Sequence, residues 1–408
     1  MVLARFWQQG EPFALARKIP VLHTLHNAEV NGHSPRSDGT PSNAGQNRNF
    51  IYFSRLGLRI GLGAAMSENT AVLVVNLGTP DAPTTGPVRR YLREFLNDPR
   101  VIDIPALGRW FLLNLFILPF RPRKSAEAYA KIWSDRGSPL LEHTRAFSEK
   151  LRASLPEGYR LDFAMRYGSP SIAAKLDELL SHSPKDLIIL PLYPHYSSAS
   201  TGSTLEIIYG ILAKKWNVPA VRVIGPFYQD PGFLDAFAAI GRPLLESFAP
   251  DHILFSYHGL PERHIVKSES LPGHCLKSDD ACCSTLSAKN DFCYRAQCFE
   301  TTRQLSRRLG LDPTRFTTCF QSRLGRTPWI KPYTDILIQD LARQGKKKVL
   351  VFSPSFVADC LETLEEISLR GRDAFKEAGG DNLLLVPSLN SSDAWVAAAR
   401  KIILKSSP

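Results

Sequence analysis

The sequence predicts an α/β protein made of two doubly wound halves, each a parallel sheet flanked by helices. Three observations carry this expectation. From residue 70 onward, short apolar runs rich in β-branched residues alternate with helix-length amphipathic stretches. The runs lack polar alternation, as expected of strands covered on both faces. A similar segment also occurs twice. Lys185-Asp-Leu-Ile-Ile-Leu-Pro191-Leu-Tyr193 precedes Leu205-Glu206, and Lys347-Lys-Val-Leu-Val-Phe-Ser-Pro354-Ser-Phe356 precedes Leu361-Glu362. Each reads charge, strand, proline, aromatic, loop, helix, although two generic strand–loop–helix units would read alike too.

In chain order, residues 1–65 stand apart. They hold seven Arg or Lys against three acids, with Gly, Asn, Ser and Pro scattered through 31–49. Met66-Ser-Glu-Asn-Thr reads like a natural start, so the expectation is that 1–65 is a non-native or disordered extension. A basic, acid-poor targeting segment is the alternative. Strands are expected at 71–76, 160–166, 186–191, 220–224, 252–257, 315–320, 347–353 and 382–386. Helices are expected at 88–96, 143–154, 171–181, 233–247, 299–309, 333–344, 361–378 and 391–404. The division that follows is a first half at 70–248 and a second at 249–402. The ligand crevice is expected at the carboxyl ends of the strands.

Composition narrows the function classes. An apolar fraction of 44% and a charged fraction of 22% suit a globular core. The net charge of +11 suits an anionic small molecule or membrane surface. Its cations are scattered rather than massed with aromatics, which disfavours nucleic acid. Seven cysteines, five of them between Cys275 and Cys298, do not resemble a secreted disulfide framework. They suit a reducing compartment, hence a cytoplasmic location. The most apolar run, Trp110 to Phe120, is shorter than the ~18 residues of a membrane span. No phosphate-cradling glycine loop follows the first strand, so a dinucleotide site has no support.

Two constellations end predicted strands. Ser256-Tyr257-His258-Gly259-Leu260-Pro261 puts a histidine where a buried strand meets a loop. Read alone, it suits a structural role as well as a catalytic one. Phe356-Val-Ala-Asp359-Cys360-Leu361-Glu362-Thr-Leu-Glu365-Glu366 follows another strand. Glu362 and Glu366 share a helix face, Asp359 suits a cap, and Glu365 is expected to be solvated. A solvated face with an ordinary cap fits the same spacing.

Taken together, Asn76-Leu-Gly-Thr-Pro80, Arg166-Tyr167-Gly, the Pro191–Ser203 loop, His258-Gly-Leu-Pro261, Phe320-Gln-Ser-Arg323 with Pro328-Trp329, and Asp359-Cys-Leu-Glu362-Thr-Leu-Glu365-Glu366 resemble the ferrochelatases, in that family's order, across roughly 70–402. The resemblance implies two Rossmann-like halves of a class II chelatase with a porphyrin cleft between them. It implies protoporphyrin IX and ferrous iron as substrates, with coproporphyrin, another metal or a non-catalytic tetrapyrrole carrier as alternatives.

By the same resemblance His258 and Glu362 are the essential histidine and glutamate. Both are expected to meet the iron, with Glu366 and Asp359 assisting. Leu77, Arg121, Ser138, Arg166, Tyr167, Tyr193, Trp329 and Phe356 are expected to line the porphyrin. Some relatives carry histidine where this chain has Cys360. The apolar stretch within 104–124, ending in Arg121-Pro-Arg123-Lys124, resembles the family's lip over the cleft and suits a peripheral inner-membrane contact. The sequence leaves monomer and homodimer open.

The segment 268–298 is an insert relative to ordinary members. Its Cys275-x₆-Cys282-Cys283-x₉-Cys293-x₄-Cys298 suits a [2Fe–2S] cluster of the kind some ferrochelatases carry. The expected set is Cys275, Cys282 or Cys283, Cys293 and Cys298. Zinc, which usually takes paired C-x₂-C ligands, and free thiols are the alternatives.

Overall fold

The computed structural model describes residues 69–276, 281–325 and 327–406. The expectation for residues 1–65 lies outside the described residues.

Among the described residues, eight strands form two four-stranded sheets. They are β1 (Thr70–Thr79), β2 (Tyr159–Gly168), β3 (Asp186–Pro191), β4 (Ala220–Val223), β5 (His252–His258), β6 (Phe316–Gln321), β7 (Lys348–Phe352) and β8 (Asn382–Leu385). The orders are β2-β1-β3-β4 and β6-β5-β7-β8, with every pairing parallel. The two orders are the same permutation, so the repeated motif reflects two halves of like topology.

Period-two alternation divides each strand between two cores. Val72 and Val74 join Ile188, Leu190, Ile253, Phe255, Tyr257 and Phe352 in one cluster shared by both halves. Ala71, Leu73 and Val75 face outward under helices Ile172–Leu180 and Ser203–Leu212. Leu254, Val349 and Val351 do the same under helix Thr334–Arg343. Burial on both faces explains why the strand runs are continuously apolar.

Tertiary packing departs from the linear division at residue 248. Helix Pro231–Phe248 follows the first sheet, yet packs on β7 and on helix Tyr294–Leu309. The last helix, Asp393–Lys405, returns to the first half, where Trp395 stacks on Phe147 at 5.5 Å and Arg400 donates to the Ser154 carbonyl at 2.7 Å.

The helix expected over 361–378 is a π-helix, Glu362–Gly371, continued by an α-helix, Arg372–Glu377. Glu365 is not solvated as expected. It is 5% exposed and pairs with Arg370 at 3.0 Å and Lys131 of the first half at 3.5 Å. Helices Ala106–Phe111, Arg121–Ile132 and Glu262–Lys267 were not among the expected helices. Arg121–Ile132 packs against the π-helix Glu362–Gly371 of the second half.

Candidate active site

His258 ends β5 beside Gln321, its register partner at the end of β6. Its backbone is held from two sides. The His258 N–H donates to Ser355 Oγ at 3.1 Å, and its carbonyl accepts the Tyr294 phenol at 2.8 Å. The ring Nδ1 lies 2.6 Å from the Gly259 carbonyl. A carbonyl only accepts, so Nδ1 carries a proton, and in the neutral tautomer Nε2 holds the lone pair. Gly259 is required here, because a Cβ would meet the Gln321 carbonyl at 2.8 Å. Trp329 and Phe356 flank the imidazole, with ring centroids at 6.5 and 6.3 Å.

Two carboxylates share this end of the second sheet. Ser322 donates its N–H to Glu366 Oε1 at 2.8 Å and its hydroxyl to Oε2 at 2.6 Å. Burial raises the Glu366 pKa above the ordinary carboxylate value. Ser322 opposes the rise, the charge of Glu362 adds to it, and positive charge on His258 and Arg370 opposes it. The Gln321 amide donates to the Glu362 carbonyl at 2.8 Å, which fixes the first residue of the π-helix. The charge of Glu362 is felt by the first-half phenols Tyr91 and Tyr129, whose pKa values burial already raises. It also reaches the buried thiol of Cys360. The wider backbone of a π-turn is a frequent feature of functional sites.

Asp359 is placed differently. It is 5% exposed, and its carboxylate accepts Thr363 Oγ1 at 3.0 Å, Ser388 N–H at 3.2 Å and Asn390 Nδ2 at 2.8 Å. These bonds fix the turn into the π-helix.

The first half supplies the facing wall. Gly78, with φ of +116°, has a site where a Cβ would lie 1.9 Å from the Tyr167 carbonyl, which explains the Asn-Leu-Gly-Thr motif. Leu77 and Leu361 pack against one apolar cluster. Thr79 Oγ1 donates to Ser138 Oγ at 2.8 Å, and Leu140 beyond it packs with Phe356, Ala358 and Cys360. Ser138, Leu77 and Phe356 are thus brought to the seam.

Arg166 and Tyr167 are not open to it. The Arg166 side chain is 10% exposed and pairs with Asp98 at 2.6 Å, and the buried Tyr167 phenol donates to the same carboxylate at 2.8 Å. Tyr193 is half-buried, with its phenol 3.3 Å from Thr204 Oγ1. Trp329 Nε1 donates to the Leu324 carbonyl at 2.9 Å. Arg121 is exposed at the start of helix Arg121–Ile132.

The apolar lip folds as helix Ala106–Phe111 and a π-turn, Leu112–Ile117. It presents Leu107 at 70% and Phe120 at 72% exposure, with Trp110, Phe111, Leu115 and Phe116 also exposed. Its base is clasped to the second half. Asp103 pairs with Arg263 at 2.6 Å, Lys267 at 2.6 Å and His264 at 3.1 Å. Burial opposes ionisation of Asp103, but these three partners outweigh it and hold its pKa well below the ordinary carboxylate value. Among the described residues, no helix is long and apolar enough to cross a membrane.

All five insert cysteines are buried. Cys282 Sγ and Cys283 Sγ are 3.8 Å apart, and Cys293 is within hydrogen-bonding reach of both Cys275 and Cys283. The buried Arg295 donates to Cys283 Sγ at 3.3 Å. Among the described residues, no group of three or more His, Cys, Asp or Glu stands ready as a metal site. Cys319 is a core residue of the second sheet, its thiol pushed up to about 12 by burial.

Ser355, Ser322 and Tyr294 bond to the site residues, and Tyr91 and Tyr129 feel the Glu362 charge, without having been singled out by sequence. Of these, Ser322 and Ser355 lay within quoted segments.

A strand-end histidine with Nδ1 on the Gly259 carbonyl, two interacting carboxylates on the adjoining π-helix and an exposed apolar lip suit an α/β enzyme acting on a large apolar substrate. The sequence model of the family described as ferrochelatase matches residues 69–407. A ferrochelatase of Coxiella burnetii (strain CbuG_Q212) is 45% identical over 345 residues, covering 85% of this chain and 96% of the relative. One of Legionella pneumophila (strain Paris) is 46% identical over 333 residues, covering 81% and 98%. A solved structure of SirB from Bacillus subtilis with Fe3+ aligns with 83% of this chain and 95% of its own at 11% identity and a TM-score of 0.48. The chain belongs to the ferrochelatase family, enzymes that insert iron into a porphyrin.

Proposed function

We propose that this enzyme inserts Fe²⁺ into protoporphyrin IX to form protohaem, with His258 as the first proton acceptor. The supporting observation is the Nδ1 bond to Gly259, which leaves Nε2 as a base beside two carboxylates. Insertion forms four Fe–N bonds and releases two pyrrole protons. A neutral imidazole accepts a proton readily near pH 7. The Glu366 carboxylate steadies the imidazolium as it forms and, its pKa raised by burial, is suited to take that proton onward. Glu362 meets the metal. Oxygen and nitrogen ligands of this kind release ferrous iron, whereas a tight site would retain it.

Leu77, Ser138, Tyr193, Trp329 and Phe356 line the ring, and Arg121 faces its propionates. Arg166 and Tyr167 shape the Ser203 loop through Asp98. Asp359 positions Glu362 rather than reacting. Purified protein given Fe²⁺ and either protoporphyrin IX or coproporphyrin without air tests this reading. No haem above the protein-free rate with either porphyrin removes the enzyme in favour of a carrier. Coproporphyrin as the better substrate moves the assignment to that porphyrin.

The insert supports a second reading. Cys293 within reach of Cys275 and Cys283, and the Arg295 guanidinium on Cys283, support an anionic [2Fe–2S] cluster held by Cys275, Cys282 or Cys283, Cys293 and Cys298, for which the thiols must draw closer together than they stand. Bound there, such a cluster supplies one-electron redox chemistry. Anaerobically purified protein is then coloured and loses that absorbance on Cys→Ser substitution, whereas colourless, iron-free protein rejects the cluster.

The exposed lip, followed by Arg121, Arg123 and Lys124, suits peripheral contact with an anionic membrane from the cytoplasmic side. Vesicle co-sedimentation that survives replacement of Leu107, Trp110 and Phe120 by Ser refutes that contact.

A further inference from the structure

Helix Tyr294–Leu309 starts directly after Cys293, and its first turn faces two ways. Toward the cleft, the Tyr294 phenol donates to the His258 carbonyl at 2.8 Å, Gln297 Oε1 accepts the Tyr196 N–H at 2.8 Å, and Arg295 donates to the Lys331 carbonyl at 3.2 Å. Toward the insert, Arg295 donates to Cys283 Sγ at 3.3 Å, and the Cys298 thiol lies within hydrogen-bonding reach of the Tyr294 phenol. One turn of helix therefore joins the cysteine-rich insert to three loops of the active site.

Tyr294 holds the most consequential of these contacts. The peptide plane between His258 and Gly259 is clamped at both ends. Its carbonyl accepts from Tyr294, and its N–H donates to the Gln321 carbonyl at 2.8 Å. That plane leads into Gly259, whose own carbonyl accepts the imidazole Nδ1–H. Ser355, which accepts the His258 N–H, is also within reach of the phenol. A buried phenol has a single proton to donate. Here it lies on His258, with the Cys298 sulfur as the competing partner.

We propose that Tyr294 is a positioning residue that sets the His258 imidazole from the cysteine insert, so that a change at the Cys298 sulfur is felt at the catalytic base. The proposal rests on His258 being that base. Loss of the phenol frees the 258–259 peptide to rotate. The Gly259 carbonyl then leaves Nδ1, and the tautomer that exposes Nε2 is no longer enforced.

Tyr294→Phe keeps the ring and removes one hydroxyl. The expected result is a fall in kcat on the order of tenfold, with KM for porphyrin unchanged and a displaced pH profile of kcat. The second readout does not depend on turnover. In ¹⁵N–¹H spectra of substrate-free protein, the ring nitrogens of His258, assigned with His258→Ala, shift in Tyr294→Phe and in Cys298→Ala. They stay in place in Tyr257→Phe, which loses only its 2.9 Å contact with Thr302 on the same helix. Unmoved His258 signals in both Tyr294→Phe and Cys298→Ala overturn the proposal, as does an equal shift in Tyr257→Phe. If His258→Ala retains full insertion activity while the ring signals still move in Tyr294→Phe, the catalytic reading of His258 fails and the structural coupling stands.

Discussion

Ser322 holds both carboxylate oxygens of Glu366, through its N–H at 2.8 Å and its hydroxyl at 2.6 Å. It does so from a left-handed conformation, φ +67°, that a residue with a side chain adopts at a cost. The grip counters the burial and the Glu362 charge that push Glu366 toward its protonated form. Proton acceptance by this carboxylate is thus balanced between opposing contacts, as a relay requires.

The pH dependence of stability follows from that balance. The folded pKa of Glu366 is raised, so its contribution to stability is fully present below the ordinary glutamate range and is lost as pH rises through the folded value. Glu366→Gln, neutral at every pH, is therefore expected to melt higher than wild type at pH 8, with the difference vanishing at acid pH. The same variant slows iron insertion. Thermal melts across pH check the sign, and a variant less stable than wild type at pH 8 contradicts it.

His258→Ala should lower the insertion rate by two to four orders of magnitude, the usual worth of a general base, with porphyrin binding largely kept. Anaerobic initial rates with porphyrin fluorescence titrations measure both quantities. A loss under tenfold excludes His258 as the proton acceptor.

Asp359→Asn tests positioning against chemistry. Asn keeps one acceptor but sets an amide N–H₂ against the donor Asn390 Nδ2. The expected cost is about 1–3 kcal/mol of stability from the mismatched buried group. The protein that remains folded should retain kcat within several-fold. Unchanged stability with a hundredfold loss of kcat would return Asp359 to the proton path.

Asp103 ties the lip to the helix that follows His258. Its folded pKa is depressed, so its stabilisation is present above the ordinary aspartate range and is lost as pH falls through the folded value. Arg263 and Lys267 are partly solvated, which screens the pairs. Asp103→Asn is expected to cost about 1–2 kcal/mol near pH 7, narrowing as the solution is acidified. Denaturant titrations at neutral and acid pH measure the gap. Protease cleavage within 104–120 should quicken in the variant.

The sequence by itself determined the eight strands and the motifs at their carboxyl ends. Continuous apolar runs and glycine-bearing turns such as Asn76-Leu-Gly78 and His258-Gly259 are local consequences of chain chemistry. Tertiary structure decided what those residues do to one another. Glu365 reads as a solvated helix position, yet it is buried where helix Arg121–Ile132, more than two hundred residues away in sequence, packs on the π-helix and brings Lys131 to it. Arg166 and Tyr167 read as cleft residues, yet Asp98 draws both into a closed network. The link from Tyr294 to His258 has no periodicity to betray it. Hydrogen bonds and ion pairs between distant segments depend on how the halves pack, and no spacing along the chain encodes that packing.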